Sequence, residues 1–481
     1  MSTADIAIVN GTTRSALESA AQPASSAAVR NGKEIDIIDQ IFGGEDKREK
    51  FIPVTREALI ERLSRASYWP GAEAQHVRRF FRYLDYWRKQ TYCARLLHLE
   101  QSYEPFSPDS DLLVTRKFSL AEKAGMQKRV VEQCQQLLKQ ANYEPIDPKN
   151  VSLIMTKDSH YGLDLHVDMA DFDELAIYFR GATKRKEERR NIKKLYLWKE
   201  EFDVPIFQRL CVLFKLKPFE QRVAEMMKER NCDKDDAEKA VNRLRRALPP
   251  QVKSDFIYLK LFKNIPRSDI EMVFPNTKVK FRLFDKVKLG VTAGGGLGMG
   301  VVGTAGKIAV ATNPIALAGA VAGLCGIAVR QGVNFMNQKN KYMVTMAQNL
   351  YFHAMADNRG VMTLLADRAA EEDIKEEVLL YTQLAKTPIN RAQLKDIDRA
   401  IEQYLMNTFG LNLNFDVEDA LQRLMHDGIV TELADGTLKT LAPAAAAAHI
   451  DILWDKYLNE LPDMTVNEGV EFELEPSEAQ A

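Results

Sequence analysis

Three polar residues at alternating positions form the first group in this sequence that could bind a metal ion. Asp164, His166 and Asp168 stand two residues apart in the run GLDLHVDM. Because strand residues two apart point to the same face, this spacing places two carboxylates and an imidazole side by side. One strand rarely completes a metal site, and the sequence offers no fourth ligand nearby. The pattern therefore favours a solvated strand face, and we predict no metal site.

A glycine-rich motif at residues 298–303, GMGVVG, has the GxGxxG spacing of a dinucleotide-binding turn. Such a turn also needs a preceding hydrophobic strand, a following helix and an acidic residue about twenty positions later. The preceding residues are TAGGGL, and position 323 is glycine. The motif therefore favours close packing of helices, and we predict no cofactor.

An acidic run at residues 371–377, EEDIKEE, places five carboxylates around one lysine. Ile374, Val378 and Leu379 recur at helical spacing and predict an amphipathic helix whose inner face they form. The acidic residues would then form an ordinary polar face in contact with solvent.

A basic cluster at residues 183–194, TKRKEERRNIKK, has seven positive and two negative charges. Beside a membrane such a cluster could contact anionic headgroups, and the alternative is a solvated loop beside a sheet. The candidate lipid-contacting residues are Lys184, Arg185, Lys186, Arg189, Arg190, Lys193 and Lys194.

Composition restricts the class of protein that these groups belong to. The 481 residues exceed what one hydrophobic core supports, which predicts several domains. The 66 basic and 67 acidic residues nearly cancel, so no overall field attracts nucleic acid. The five cysteines are scattered without a CxxC pair, which is typical of a reducing compartment.

Hydrophobic periodicity predicts an α+β multidomain membrane protein. The predicted segments are a disordered N-terminus (1–46), a helical N-terminal domain (47–146), a small antiparallel α+β domain (147–287), a glycine-rich transmembrane helical hairpin (288–330), a helical segment (331–410), a winged-helix-like domain (411–460) and an acidic tail (461–481). Thr55 and Asp416 are predicted helix N-caps, and Asp435-Gly436 predicts a hairpin turn.

The winged-helix-like end is predicted to contact protein rather than nucleic acid. Its candidate recognition helix, residues 416–427, has four acidic residues against one arginine and one histidine. Such a helix repels phosphate. We therefore predict an unidentified protein partner and no nucleic-acid partner.

The segment Leu289–Val329 has one charged residue, Lys307, in forty-one positions and holds eleven of the 25 glycines. Its two apolar arms meet at Asn313-Pro314, which predicts a helical hairpin, because a segment in hydrocarbon must satisfy its own backbone groups. The second arm is short for a bilayer, so a hairpin buried in a soluble core stays open as the alternative. Lys307 would either snorkel to the interface or face a pore or partner helix.

Basic residues flank both ends of this hairpin, which places both ends in the cytoplasm of a bacterial inner-membrane protein. Glycines four residues apart let helix backbones approach closely and would join copies of the chain into a homo-oligomer. The predicted helix-packing residues are Gly290, Gly294, Gly298, Gly296, Gly300, Gly319 and Gly323.

Three stretches of the sequence resemble a known family. They are REKFIPVTREAL with YEPFSPDSD, then YLKLFKNIPRSDIEMVFPNTKVKFRLFDKVKLG, and the stretch NLYFHAMADNRGVMTLLADRAAEEDIKEEVLLYTQL leading into DVEDALQRL. They are similar to the uncharacterised membrane proteins that include transmembrane protein 143, which share a domain of unknown function. The resemblance extends from Arg48 to Tyr457. It implies a membrane-anchored protein, bacterial or organellar, and supplies no catalytic residues.

The sequence therefore favours a non-enzymatic integral membrane protein whose cytoplasmic domains bind a protein partner or membrane lipid. One alternative is an enzyme at the membrane surface that uses residues 147–287 and the carboxylates and imidazole of Asp164, His166 and Asp168. The other is a glycine-zipper assembly that remodels or permeabilises membranes.

Overall fold

The computed structural model describes residues 48–147, 163–190, 199–246, 248–267, 270, 273–281, 350–460 and 468–471. The helices in these ranges are α1 (Arg56–Leu63), α2 (Glu73–Tyr103), α3 (Leu120–Gln140), α4 (Phe219–Arg230), α5 (Lys234–Arg245), α6 (Asn358–Lys386), α7 (Leu394–Phe409), α8 (Val417–His426) and α9 (Pro443–Glu460). The strands are β1 (Arg116–Lys117), β2 (Glu144–Pro145), β3 (Leu163–His166), β4 (Phe172–Arg190), β5 (Lys199–Leu216), β6 (Ile257–Pro266), β7 (Lys278–Phe281), β8 (Ala354–Asp357), β9 (Ile389–Asn390), β10 (Val430–Glu432), β11 (Thr437–Thr440) and β12 (Val470–Glu471).

A five-stranded antiparallel sheet has the strand order β2-β4-β5-β6-β8. Its aromatic and β-branched residues predict antiparallel strands here. The structure confirms that the strands are antiparallel. Strands β4 and β5 are long, with 19 and 18 residues. Their outer halves pair with each other beyond the end of β6 and form a two-stranded ribbon.

Two helices, α4 and α5, stand between β5 and β6. The chain turns at Asn231, which has a left-handed φ of 48°. Asp233 then begins a new helix by accepting a hydrogen bond from the Asp236 N–H. An Asx N-cap competes with a continuing helix, which explains the break.

Helix α6 is packed on all sides from Glu372 to Thr382. It contacts helices α1, α2, α3, α7 and α8 as well as strands β6 and β11. One apolar core joins Ile374 and Val378 of α6 to Phe80 and Phe81 of α2 and to the C-terminal helices. A second core joins the first half of α6 to α3 and the sheet. Every residue of α6 between Glu372 and Thr382 is therefore buried, polar residues included, while Arg359, Asp367 and Arg368 in its first half are exposed.

In the C-terminal part, helices α7 and α8 are followed by the β10–β11 hairpin. Asp416 caps α8 by accepting from the Asp419 N–H, and Thr55 caps α1 by accepting from the Ala58 N–H, as predicted. The turn at Gly436 joins β10 to β11, and β9 completes a three-stranded sheet. Helix α9 then returns to pack along α2.

The predicted transmembrane fold class requires correction. Within the described ranges, no helix combines the length and the apolar character needed to cross a bilayer. The fold seen is a mixed α and β one, and the predicted integral membrane class and inner-membrane location are not supported. The hairpin predicted at residues 288–330, with its seven packing glycines, lies outside the described residues.

Candidate functional site

An open cavity of about 610 Å³ lies where α3, the sheet, α6 and α8 meet. Its lining contains five carboxylates, two lysines and several amide and phenol groups. The lining residues are Lys50, Glu132, Gln135, Gln136, Lys139, Gln140, Asn142, Tyr143, Glu144, Pro145, Tyr178, Glu376, Asp416 and Asp419.

Helix α3 supplies one whole wall of the cavity. Its lining residues are at positions 132, 135, 136, 139 and 140, which is the i, i+3, i+4, i+7, i+8 spacing of one helix face. The opposite face, with Val130, Cys134 and Leu137, is buried in the core. The helix ends at Ala141, and Asn142 takes a left-handed φ of 58° that turns the chain across the cavity.

Glu376 of α6 is the buried acidic residue of this lining, with 4% of its surface exposed. The side-chain amide of Asn142 donates to its Oε1 at 3.1 Å, and Arg423 of α8 donates to its Oε2. Burial raises the pKa of Glu376 to about 8, although Arg423 opposes this shift. The carboxyl group can therefore take up or release a proton near neutral pH.

Behind Glu376 lies a network of buried charges, here named the buried charge cluster. Its members are Arg88, Glu372, Asp373, Lys375, Glu376, Glu377, Arg423 and Asp427. Arg423 binds Asp373 at 3.3 Å, and Arg88 binds Asp427 at 2.6 Å. Lys375 donates to the backbone carbonyl of Ile52 at 2.8 Å, so the segment before α1 is held by the same network.

The cluster has five carboxylates against three cations. Burial raises the pKa of Glu377 to about 7, with Arg88 and Arg423 opposing the shift. Burial also raises the pKa of Glu372 and of Asp373. Because the cations cannot neutralise every carboxylate, the cluster binds protons at a pH where exposed carboxylates are ionised.

The prediction that the 371–377 run forms a solvent-exposed polar face is wrong. Glu372, Asp373, Lys375, Glu376 and Glu377 are each less than 5% exposed. The reason is that other elements surround this part of α6, and the arginines that pair with Asp373, Glu376 and Glu377 come from α2 and α8. Sequence spacing on α6 gave no sign of those distant partners. The one local signal was the density of acidic residues in an otherwise apolar helix.

Two carboxylates of the cavity wall have little to bind within the protein. Among the residues that the structure describes, Glu144 has no ion pair, and the one ion pair of Glu132 is to Lys128 at 3.8 Å on its own helix. Asp416 and Asp419 are instead paired, with Lys50 at 2.8 Å and Arg423 at 3.0 Å. Glu132 and Glu144 are therefore the acidic groups available to a ligand.

The Asp164, His166 and Asp168 group does not share one strand. Strand β3 ends at His166, and Asp168 caps the turn Met169–Asp171 by accepting from the Ala170 N–H at 3.2 Å. Asp168 also pairs with Arg222 of α4 at 3.4 Å. The side chains of Asp164 and His166 lie outside the described residues. Across the described ranges, no group of three or more His, Cys, Asp or Glu residues could hold a metal ion.

Most residues of the basic cluster lie on the outer half of β4. The sequence left two alternatives for them, a contact with lipid and a solvated loop, and the structure places these residues in a strand. The register places Lys186 opposite Asp203 and Arg189 opposite Glu200 of β5. The ribbon therefore has acidic residues on the strand beside the basic ones. Lys193 and Lys194 lie outside the described residues, and the lipid contact of this cluster stays a prediction.

Residues 172–360 match the family described as protein of unknown function (DUF3754). The matched segment begins with β4 and ends in the first turn of α6, so it includes Tyr178 of the cavity, while Glu376 lies beyond it. No solved structure matches the chain. The match supports the domain of unknown function, and the wider resemblance to proteins like transmembrane protein 143 stays a prediction.

Proposed function

We propose that this protein is a non-enzymatic binding protein whose cavity holds a small organic cation with two or more amino groups. The observation that carries the proposal is the pair of uncommitted carboxylates, Glu132 and Glu144, on the wall of a cavity whose carboxylates outnumber its lysines. Ammonium groups bind such carboxylates through charge-assisted hydrogen bonds.

The dimensions and lining of the cavity fit this ligand class. A volume of about 610 Å³ lies within the range of small-molecule sites. Carboxylates on two walls suit a ligand with amino groups at both ends, while amide groups of α3 can accept hydrogen bonds between them. A phosphate or carboxylate ligand would face the uncommitted carboxylates of Glu132 and Glu144 and be repelled.

We propose binding rather than catalysis for this cavity. Asn142 and Arg423 donate hydrogen bonds to Glu376 and hold its carboxyl group in place. A carboxyl group in a fixed position is suited to binding a charged ligand. The thiols of Cys134 and Cys211 are buried, and burial raises the pKa of both, so neither is an activated nucleophile. A protein partner and a homo-oligomer stay predictions beside this proposal.

Calorimetric titration of the full-length protein with spermidine tests the proposal. We expect binding by the wild-type protein, and we expect Glu132→Gln and Glu144→Gln each to weaken it about two- to fivefold, the value of a solvent-accessible ion pair. Glu220→Gln is the matched control, because Glu220 is exposed in the first turn of α4, away from the cavity.

Two results would contradict the proposal. One is a wild-type protein that binds neither spermidine nor putrescine. The other is equal weakening by Glu220→Gln and by the two cavity variants, which would indicate a general attraction to negative surface rather than a site.

A further inference from the structure

A short acidic segment near the C-terminus is bound as a strand by the N-terminal half of the protein. Strand β12 pairs antiparallel with β1, with Arg116 opposite Glu471 and Lys117 opposite Val470. The segment containing β12, residues 468–471, follows α9 after a gap of seven residues, 461–467. The acidic tail predicted as solvated therefore includes a docked strand.

Charged groups fix the register of this docked segment. Both carboxylate oxygens of the Glu468 side chain accept hydrogen bonds from Nη2 of Arg129 on α3, at 2.6 and 2.7 Å. Nη1 of Arg116 donates to the backbone carbonyl of Glu468 at 2.8 Å. A neutral side chain at position 468 would lose the charge-assisted contact, so the site selects a carboxylate there.

The next residue of the segment must be glycine. Gly469 has a φ of 79°, and a Cβ at this position would lie 2.8 Å from the Phe118 ring and 3.1 Å from the Lys117 carbonyl oxygen. Its N–H donates to Oε1 of Glu122, at the start of α3, at 3.0 Å. The backbone conformation and the lack of room both exclude a side chain.

We propose that β1 and the first half of α3 form a peptide-recognition site for an extended acidic segment that contains the sequence Glu-Gly. In this structure the site is occupied by the chain's own residues 468–471. Backbone pairing of an extended peptide with a strand is a known mode of peptide binding, and here the contacts of Glu468 and Gly469 supply the selectivity.

The docked residues 468–471 are held loosely enough to be exchanged for another peptide. Val470 is 73% exposed, and the paired side chains of Arg129 and Glu468 are 41% and 35% exposed. Two strand pairs and a solvent-accessible ion pair give a weak contact, which covalent linkage within the chain strengthens through effective concentration. The inferred ligand is an acidic peptide of another chain. Residues 468–471 of this protein compete with that peptide for the site.

Fluorescence anisotropy with a labelled peptide of residues 464–475 (MTVNEGVEFELE) tests this inference on the full-length chain. The Gly469→Val chain cannot dock its own segment, so we expect it to bind the peptide about tenfold more tightly than the wild-type chain does. A second chain variant, Glu468→Gln, should increase peptide binding in the same direction. The matched control is the same peptide with valine in place of its glycine.

A second comparison separates the proposed site from general charge attraction. Adding Arg129→Glu to Gly469→Val should abolish binding of the acidic peptide, and a peptide with arginine in place of its first glutamate should restore part of it. The inference is overturned if the Gly469→Val chain binds no peptide, or if the valine control peptide binds as well as the glycine peptide.

Discussion

Two arginines from different helices form ion pairs with one carboxylate oxygen in the interior of this protein. Nε of Arg423 on α8 lies 3.0 Å from Oε1 of Glu377 on α6, and Nη2 of Arg88 on α2 lies 2.8 Å from the same atom. The Glu377 side chain has no exposed surface. This contact joins three helices that are far apart in sequence, and it makes the buried charge cluster a determinant of stability.

Replacing Arg88 by methionine should destabilise the protein strongly. The change preserves much of the side-chain volume but leaves Glu377 and Asp427 with one fewer buried cation. Removing one partner of a buried ion pair costs about 3–5 kcal/mol in the free energy of unfolding. Urea denaturation followed by circular dichroism measures the change.

The control for this variant is Arg399→Met. Arg399 pairs with Asp396 on the exposed face of α7, and the two side chains are 76% and 69% exposed. The expected cost is below about 1 kcal/mol. Equal costs for the two variants would show that the buried charge cluster contributes no more than a surface ion pair.

The free energy of unfolding should fall as the pH rises from about 5 to about 9 because of Glu376 and Glu377. Their folded-state pKa values are about 8 and about 7, which is above the value of an unfolded glutamate. In this window the folded state keeps protons that the unfolded state releases, so the stabilisation is complete below the unfolded pKa and is lost as the pH passes the folded one. Asn142, Arg423, Asp373 and Glu372 surround Glu376 and help to set this window.

The Glu376→Gln variant tests this linkage, since it cannot release the proton. Urea denaturation at several pH values should give a flatter slope for it, by up to about one proton. Glu220→Gln should keep the wild-type slope. A Glu376→Gln slope identical to that of the wild type would assign the pH dependence to other groups.

Binding of spermidine in the cavity should strengthen as the pH rises from about 6.5 to about 8.5. Over this range Glu376 loses its proton and adds a negative charge to the cavity lining, while the ligand keeps most of its positive charge. We expect a gain in affinity of about two- to fivefold for the wild-type protein. Calorimetry at the two pH values should show a smaller gain for Glu376→Gln, and a larger one would contradict the role given to this residue.

Alanine substitutions at two glycines should change the free energy of unfolding in opposite directions. Gly125 lies inside α3, where the nearest atom to an added Cβ is 3.8 Å away, so Gly125→Ala should stabilise by about 0.5–1 kcal/mol. Gly436 has a φ of 81° in the β10–β11 turn, and a Cβ there would lie 2.8 Å from Asn390. Gly436→Ala should therefore destabilise by about 1 kcal/mol or more. Thermal unfolding checks the two signs, and a stabilising Gly436→Ala would show that the turn relaxes.

Local signals in the sequence predicted local structure well. The caps at Thr55 and Asp416 depend on residues three positions apart, and the structure confirms both. The strands also follow their side-chain patterns. Each of these features is decided by neighbours along the chain, which a sequence displays directly.

The candidate site depends on distant neighbours, and the sequence did not reveal it. Glu376 was assigned to a surface because its own helix has apolar residues for an inner face, yet Asn142 and Arg423 come from other elements to bind it. A single sequence contains no record of which helices surround α6. The docked strand at residues 468–471 was missed for the same reason, because its partners Arg116 and Arg129 lie near the other end of the chain.

The position of α6 late in the chain also determines when the N-terminal core can form during translation. Phe80 and Phe81 of α2 pack against the ring of Tyr381, with ring centroids 4.6 and 6.0 Å away. The contact between Arg88 and Glu377 joins residues that are 289 positions apart. At typical elongation rates the ribosome needs about 15–60 s to cover that distance. During this interval α1 and α3 are the partners of α2, and the apolar surface around Phe80 and Phe81 that Tyr381 covers stays open, which makes the nascent chain a candidate client for chaperones that bind hydrophobic helices.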